Sequence, residues 1–137
     1  MTLIRSDIRL VWESVLPGLR YIKDKCNAPW RTEDIYANCV SGNAEIFLVK
    51  NYPHRFAVVQ EKTCPFSLEK SFLVWIAYDE SNAWGAANYL DELEEIARSY
   101  GCTSVEFWSP RKGMQKLTEK SGYKPESTIY KKRIFKY

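Results

Sequence analysis

The stretch Ile76-Ala77-Tyr78-Asp79-Glu80-Ser81-Asn82-Ala83-Trp84-Gly85-Ala86-Ala87-Asn88 carries the residue types of an anion site. An apolar strand runs into a short loop, and the loop opens directly into the start of a helix filled with small residues. The first turn of a helix holds backbone N–H groups with no intrahelical acceptor, at a positively polarised end. Gly85 and Ala87 present almost no side chain, so a ligand can approach the main chain closely. Such a turn is suited to a phosphate or diphosphate. Asn82 adds only a neutral donor, and Asp79 and Glu80 just upstream would repel an anion if they faced it. The competing structural reading is close packing of an Ala- and Gly-rich helix start against a sheet.

Other chemistry is sparse. The one histidine, His54, lies in Tyr52-Pro53-His54-Arg55, which reads as a turn between two strands and not as a catalytic setting. The four cysteines, Cys26, Cys39, Cys64 and Cys102, are scattered without a C-x-x-C spacing, so no zinc or other metal site is expected. Thiols of this kind fit a reducing cytoplasm. No signal peptide opens the chain, and no apolar run approaches the roughly 18 residues of a membrane span, so a soluble, cytoplasmic protein without membrane contact is expected. A net charge of +3 is too small to imply nucleic acid as partner. The basic cluster Lys131, Lys132, Arg133 and Lys136 reads as the charged face of an edge strand.

These residues need a scaffold, and 137 residues make one domain, 1–137. Thr2 to Arg5 reads as a first strand. Ser6 caps a helix whose Ile8, Val11, Trp12, Val15, Leu16, Leu19 and Ile22 recur at helical spacing. Pro17-Gly18 predicts a kink or a split in it. Thr32 caps a second helix that Gly42 ends. Strands follow at Ala44–Val49, Phe56–Gln60 and Ser71–Tyr78, the last apolar on both faces and so central in a covered sheet. Ala86 to Ala97 marks a long helix ended by Gly101. Val105 and Phe107 mark a strand, Lys112 to Lys120 a short helix ended by Gly122, and Thr128 to Phe135 a last strand. The order β-α-α-β-β-β-α-β-α-β predicts an α+β fold: a mixed, mostly antiparallel sheet of about six strands with helices on both faces.

That order, and the loop after the central strand, resemble the GNAT N-acetyltransferase superfamily. Its signature loop is Arg/Gln-x-x-Gly-x-Gly/Ala, and the corresponding run is Asn82-Ala83-Trp84-Gly85-Ala86-Ala87. Gly85 and Ala87 match the small positions, while Asn82 replaces Arg or Gln. A second family segment, Asn-x-x-Ala-x-x-Leu-Tyr-x-x-x-Gly-Phe, is similar to the run from Arg111 to Tyr123. Leu117, Gly122 and Tyr123 fit. Arg111 and Met114 depart from it, and Thr118 stands where many members carry the tyrosine that protonates the leaving thiolate.

The resemblance implies an acyl-CoA-dependent N-acyltransferase, in which an amine acceptor of unknown identity attacks the thioester of acetyl-CoA directly. It implies that Ile76, Ala77 and Tyr78 pair with pantetheine through their backbone, and that Asn82, Ala83, Trp84, Gly85, Ala86 and Ala87 hold the diphosphate. Candidate catalytic groups are Tyr78 as acid and Glu69 or Glu106 as base. The helix pair from Trp12 to Tyr36 and the loop from Lys62 to Glu69 would shape the acceptor pocket. The alternative is a GNAT-shaped binding or assembly protein that has lost catalysis. Trp30 to Tyr36, Trp75 to Tyr78 and Ser109 to Gly113 are similar to small GNAT-like proteins of tailed bacteriophages. A monomer or homodimer fits either reading.

Overall fold

The computed structural model describes residues 2–79, 89–108, 122–127 and 129–135. β1 (Leu3–Ser6) leads into two helices, α1 (Ile8–Cys26) and α2 (Thr32–Ser41). Three strands follow, β2 (Glu45–Val49), β3 (Tyr52–Thr63) and β4 (Lys70–Tyr78), then α3 (Leu90–Ser99) and β5 (Ser104–Phe107). The sheet order is β1-β2-β3-β4-β5. Every pairing is antiparallel except β4 with β5, which is parallel across the α3 crossover. This is the mixed, mostly antiparallel α+β fold expected, with five strands among the described residues.

Alternation along the strands builds two apolar layers. Phe47, Val49, Ala57, Val59, Phe72 and Val74 meet Leu93, Ile96 and Ala97 of α3. On the other face Ile46, Leu48, Phe56, Val58 and Ile76 meet Val15 and Leu19 of α1 and Ile35 of α2. β4 contributes to both layers, which is why its sequence is apolar throughout. Burying eight or so such side chains per layer, at about 1.5–3 kcal/mol each, is what holds the helices to the sheet.

Several local expectations are corrected. Asp7, not Ser6, caps α1, its carboxylate accepting from the Arg9 backbone N–H at 2.9 Å. Arg31, not Thr32, is the cap of α2, and its N–H donates to the Asp34 carboxylate at 2.8 Å. That hydrogen bond is the main reason the Asp34 carboxyl is held below its ordinary range. α1 is not split at Pro17. Pro17 faces solvent, so the carbonyl it leaves without an intrahelical donor is exposed to water. Gly18 serves packing: a Cβ there would lie 2.7 Å from Tyr78 Cδ2 and 2.8 Å from Phe56 Cε1. Tyr52 to Arg55 belongs to β3 and is no turn. Residues 53–55 fall where the β2–β3 register shifts, between Val49↔Tyr52 and Leu48↔Phe56, a position that tolerates Pro53 and its missing N–H.

The last predicted strand does not form at 129–135, where Ile129, Tyr130, Ile134 and Phe135 are exposed. The helix expected from Lys112 to Lys120 lies outside the described residues. Among the described residues, no helix is long and apolar enough to cross a membrane.

Candidate functional site

Two features of β4 set it apart from the other strands. The first is a bulge. Ile76 pairs with Val58 and Val74 with Val59, so Trp75 has no opposite residue on β3. An extra residue twists a strand and re-aims its backbone groups. The second is its reach past the end of β5. β5 ends at Phe107, opposite Val74, whereas β4 continues through Trp75, Ile76, Ala77 and Tyr78. Ile76, Ala77 and Tyr78 keep β3 on one side, and among the described residues no strand lies on the other. A strand edge offers the main-chain donors and acceptors that an extended, amide-bearing ligand pairs with.

Side chains around this edge sort by face. Val105 and Phe107 pack with the α3 layer, so Glu106 between them faces the α1 and α2 side, beside its partner Leu73. Glu106 is half-buried, one position before β5 ends. Trp108, the next residue on that face, is exposed, and Lys62 Nζ stands 3.6 Å from its ring centroid. Tyr78 is half-buried in an aromatic group, stacked on Phe56 at 5.7 Å and edge-on to Tyr21 at 5.8 Å. Gly18 supplies the room for that ring.

Asp79, directly after β4, is 3 % exposed. Its carboxylate lies 3.2 Å from Arg55 Nε, and the Arg55 guanidinium covers the Tyr52 ring at 4.2 Å. Arg55 precedes Phe56, the β3 partner of Tyr78, so the ladder register brings the two charges together. The anticipated repulsion between Asp79 and an anion is thereby offset by an adjacent cation. Nothing in the run Tyr78-Asp79 announces this pair. The available signal was indirect: a carboxylate ending a fully apolar strand requires a partner.

The predicted site residues separate in space. Ile76, Ala77 and Tyr78 form the edge, and Glu106 lies one residue before the end of β5. Glu69 is exposed in the β3–β4 connection, before the first residue of β4. With about 3.3 Å per residue it lies roughly 30 Å along the strand from Tyr78. Glu69 and Tyr78 therefore do not meet. Asn82, Ala83, Trp84, Gly85, Ala86 and Ala87 lie outside the described residues. α3 is described from Leu90, with Leu93, Ile96 and Ala97 buried as the periodicity predicts. A separate open hollow of about 470 Å³, lined by Ala97, Arg98, Cys102, Val105 and Tyr123, lies on the α3 side and shares no wall with the Trp75–Tyr78 edge.

Solved structures share this architecture from end to end. A ribosomal-protein-alanine N-acetyltransferase from Brucella melitensis biovar Abortus superposes with a TM-score of 0.72 at 16% identity, covering 96% of this chain and 97% of that one. The fold is GNAT-like. A putative acetyl transferase from Pyrococcus furiosus gives a TM-score of 0.72 at 16% identity, covering 96% and 99%. A predicted acetyltransferase from Clostridium acetobutylicum, solved with acetyl-CoA, gives 0.69 at 11% identity, covering 96% and 95%. No family model matches the sequence, and no curated protein matches it. At such identities the likeness speaks for the GNAT fold, while activity must be argued from this chain's own residues.

Proposed function

We propose that the chain is an acyl-CoA-dependent N-acyltransferase that moves an acetyl group from acetyl-CoA to an amine in the cytoplasm. The observation that carries this reading is that β4 runs on past the end of β5 at a bulge, leaving an edge with no strand beside it among the described residues. A solved neighbour of the same GNAT fold holds acetyl-CoA. The residues present fit that co-substrate. The Trp75–Tyr78 edge is long enough to pair with the amides of pantetheine, and Arg55 offsets the Asp79 charge where the chain leaves β4 toward the Asn82–Ala87 loop.

When bound, acetyl-CoA supplies an activated acetyl thioester. The chain's residues do the rest. Ile76, Ala77 and Tyr78 would hold pantetheine through their backbone, and Asn82 to Ala87 would hold the diphosphate. Trp75, left without a β3 partner by the bulge, would offer its backbone N–H to the thioester carbonyl oxygen. Glu106 takes a proton from the incoming ammonium. Tyr78 donates a proton to the departing sulfur in place of the tyrosine that Thr118 replaces. Glu69 is too far along the strand to take part.

The second reading, a GNAT-shaped binding or assembly protein of a bacteriophage, is favoured by Asn82 and Thr118, which depart from the family pattern at two functional positions. Thermal unfolding separates the two. Acetyl-CoA at 100 times its dissociation constant adds about 2.7 kcal/mol, worth roughly 9 °C for a chain of this length. No shift at millimolar acetyl-CoA would refute the transferase reading. A shift without CoA release to any amine would favour the binding protein.

A further inference from the structure

We propose that the chain acetylates its own Lys62. The inference rests on the transferase reading above and adds an acceptor to it. Lys62 lies on β3 opposite Ser71, and alternation puts Ser71, Leu73 and Glu106 on one face of the sheet. The Lys62 side chain crosses β4 on that face, because its Nζ ends 3.6 Å from the centroid of Trp108. Trp108 directly follows Phe107, the last β5 residue paired to β4. The ε-amine is therefore held beside the end of β5, where β4 runs on, on the sheet face that also carries the half-buried Glu106.

An aromatic face is a seat for an alkyl ammonium. Lys62 occupies the face of Trp108 from within the chain. An amine tethered beside a reacting centre has an effective concentration far above that of one in solution, so the internal acceptor outcompetes dilute external ones. The step balances as follows. The Lys62 ammonium gives one proton to Glu106 through an intervening water, and the neutral nitrogen attacks the thioester carbonyl carbon. The C–N bond forms and the C–S bond breaks. The sulfur leaves with the electron pair and takes a proton from Tyr78, the second nitrogen proton is lost in turn and restores the phenol, and the products are Nε-acetyl-lysine and the free thiol of CoA. Acetylation removes the cation, so the attraction to Trp108 disappears and its face opens.

The test uses the full chain with isotopically labelled acetyl-CoA, followed by intact mass and peptide mapping at several protein concentrations. Lys62 should be labelled at least about tenfold faster than any other lysine, at a rate independent of protein concentration. Trp108→Ala, at an exposed position, should bring Lys62 down to the rate of the other lysines. A readout that needs no turnover accompanies it: in the free protein the Lys62 ε-methylene resonance lies upfield from ring current, and Trp108→Ala abolishes that displacement. Labelling of Lys62 no faster than its neighbours, or second order in protein, would overturn the inference. If acetyl-CoA still raised the melting temperature and still acetylated an added amine, the transferase reading would survive that failure. No thermal shift at all would remove both.

Discussion

Replacing Arg55 with methionine isolates the electrostatics of the β4 terminus. Arg55 Nε lies 3.2 Å from a carboxylate whose side chain is 1 % exposed, while the arginine itself is 21 % exposed. Removing the cation leaves a charge in a site that water barely reaches. Breaking a buried pair from one side costs about 3–5 kcal/mol, a large share of the 5–15 kcal/mol that stabilises a typical domain. At about 2.1 cal/mol/K per residue this corresponds to a melting temperature roughly 10–17 °C lower. Urea unfolding followed by tryptophan fluorescence measures it directly. Adding Asp79→Asn to Arg55→Met should recover more than half of the loss, since the charge itself is then gone. A loss under about 1 kcal/mol, or one unchanged by the second substitution, would show the pair to be no stronger than a surface contact and would refute the reasoning.

Further expectations concern packing and thiol chemistry. Gly18→Ala places a methyl group 2.7 Å from Tyr78 Cδ2, and should destabilise by about 1–3 kcal/mol in denaturant titration while displacing the Tyr78 ring. All four cysteines are thiols, and their reactivity should rank by environment. Burial pushes the Cys39 thiol up to about 11 and raises Cys102 as well. Hydrogen bonds from the Ser67 side chain and then from the Ser67 and Phe66 backbone lower exposed Cys64. Iodoacetamide labelling with peptide mapping should therefore find Cys64 modified first and at the lowest pH, with Cys39 modified only after unfolding.

The element order was legible because hydrophobic periodicity reports which face of a helix or strand is buried, and the two layers here are regular. The same periodicity put Ile76, Ala77 and Tyr78 on the central strand and Glu106 on the following one, while the roles proposed for them came from the family resemblance. It could not show the bulge at Trp75, since the residues from Phe72 to Ala77 are all apolar and an extra one leaves no gap in the pattern. Nor could it show the Arg55–Asp79 pair, which depends on the register between β3 and β4. Pro17-Gly18 reads as punctuation because both residues disfavour helices in isolation. In α1 one faces water and the other admits two aromatic rings, so tertiary packing overrides propensity. The segment 129–135 has the β-branched and aromatic content of a strand, but Lys131, Lys132 and Arg133 break its alternation, and it lies outside the sheet.

The claim on which the functional reading depends is that the edge of β4 beyond β5 receives acetyl-CoA. Backbone amide shifts measured during titration with acetyl-CoA test it most directly. The account predicts the largest changes at Trp75, Ile76, Ala77 and Tyr78 and at the amides from Asn82 to Ala87. Changes centred instead on Arg98, Cys102 and Val105 around the α3-side hollow, or no changes at saturating ligand, would contradict it.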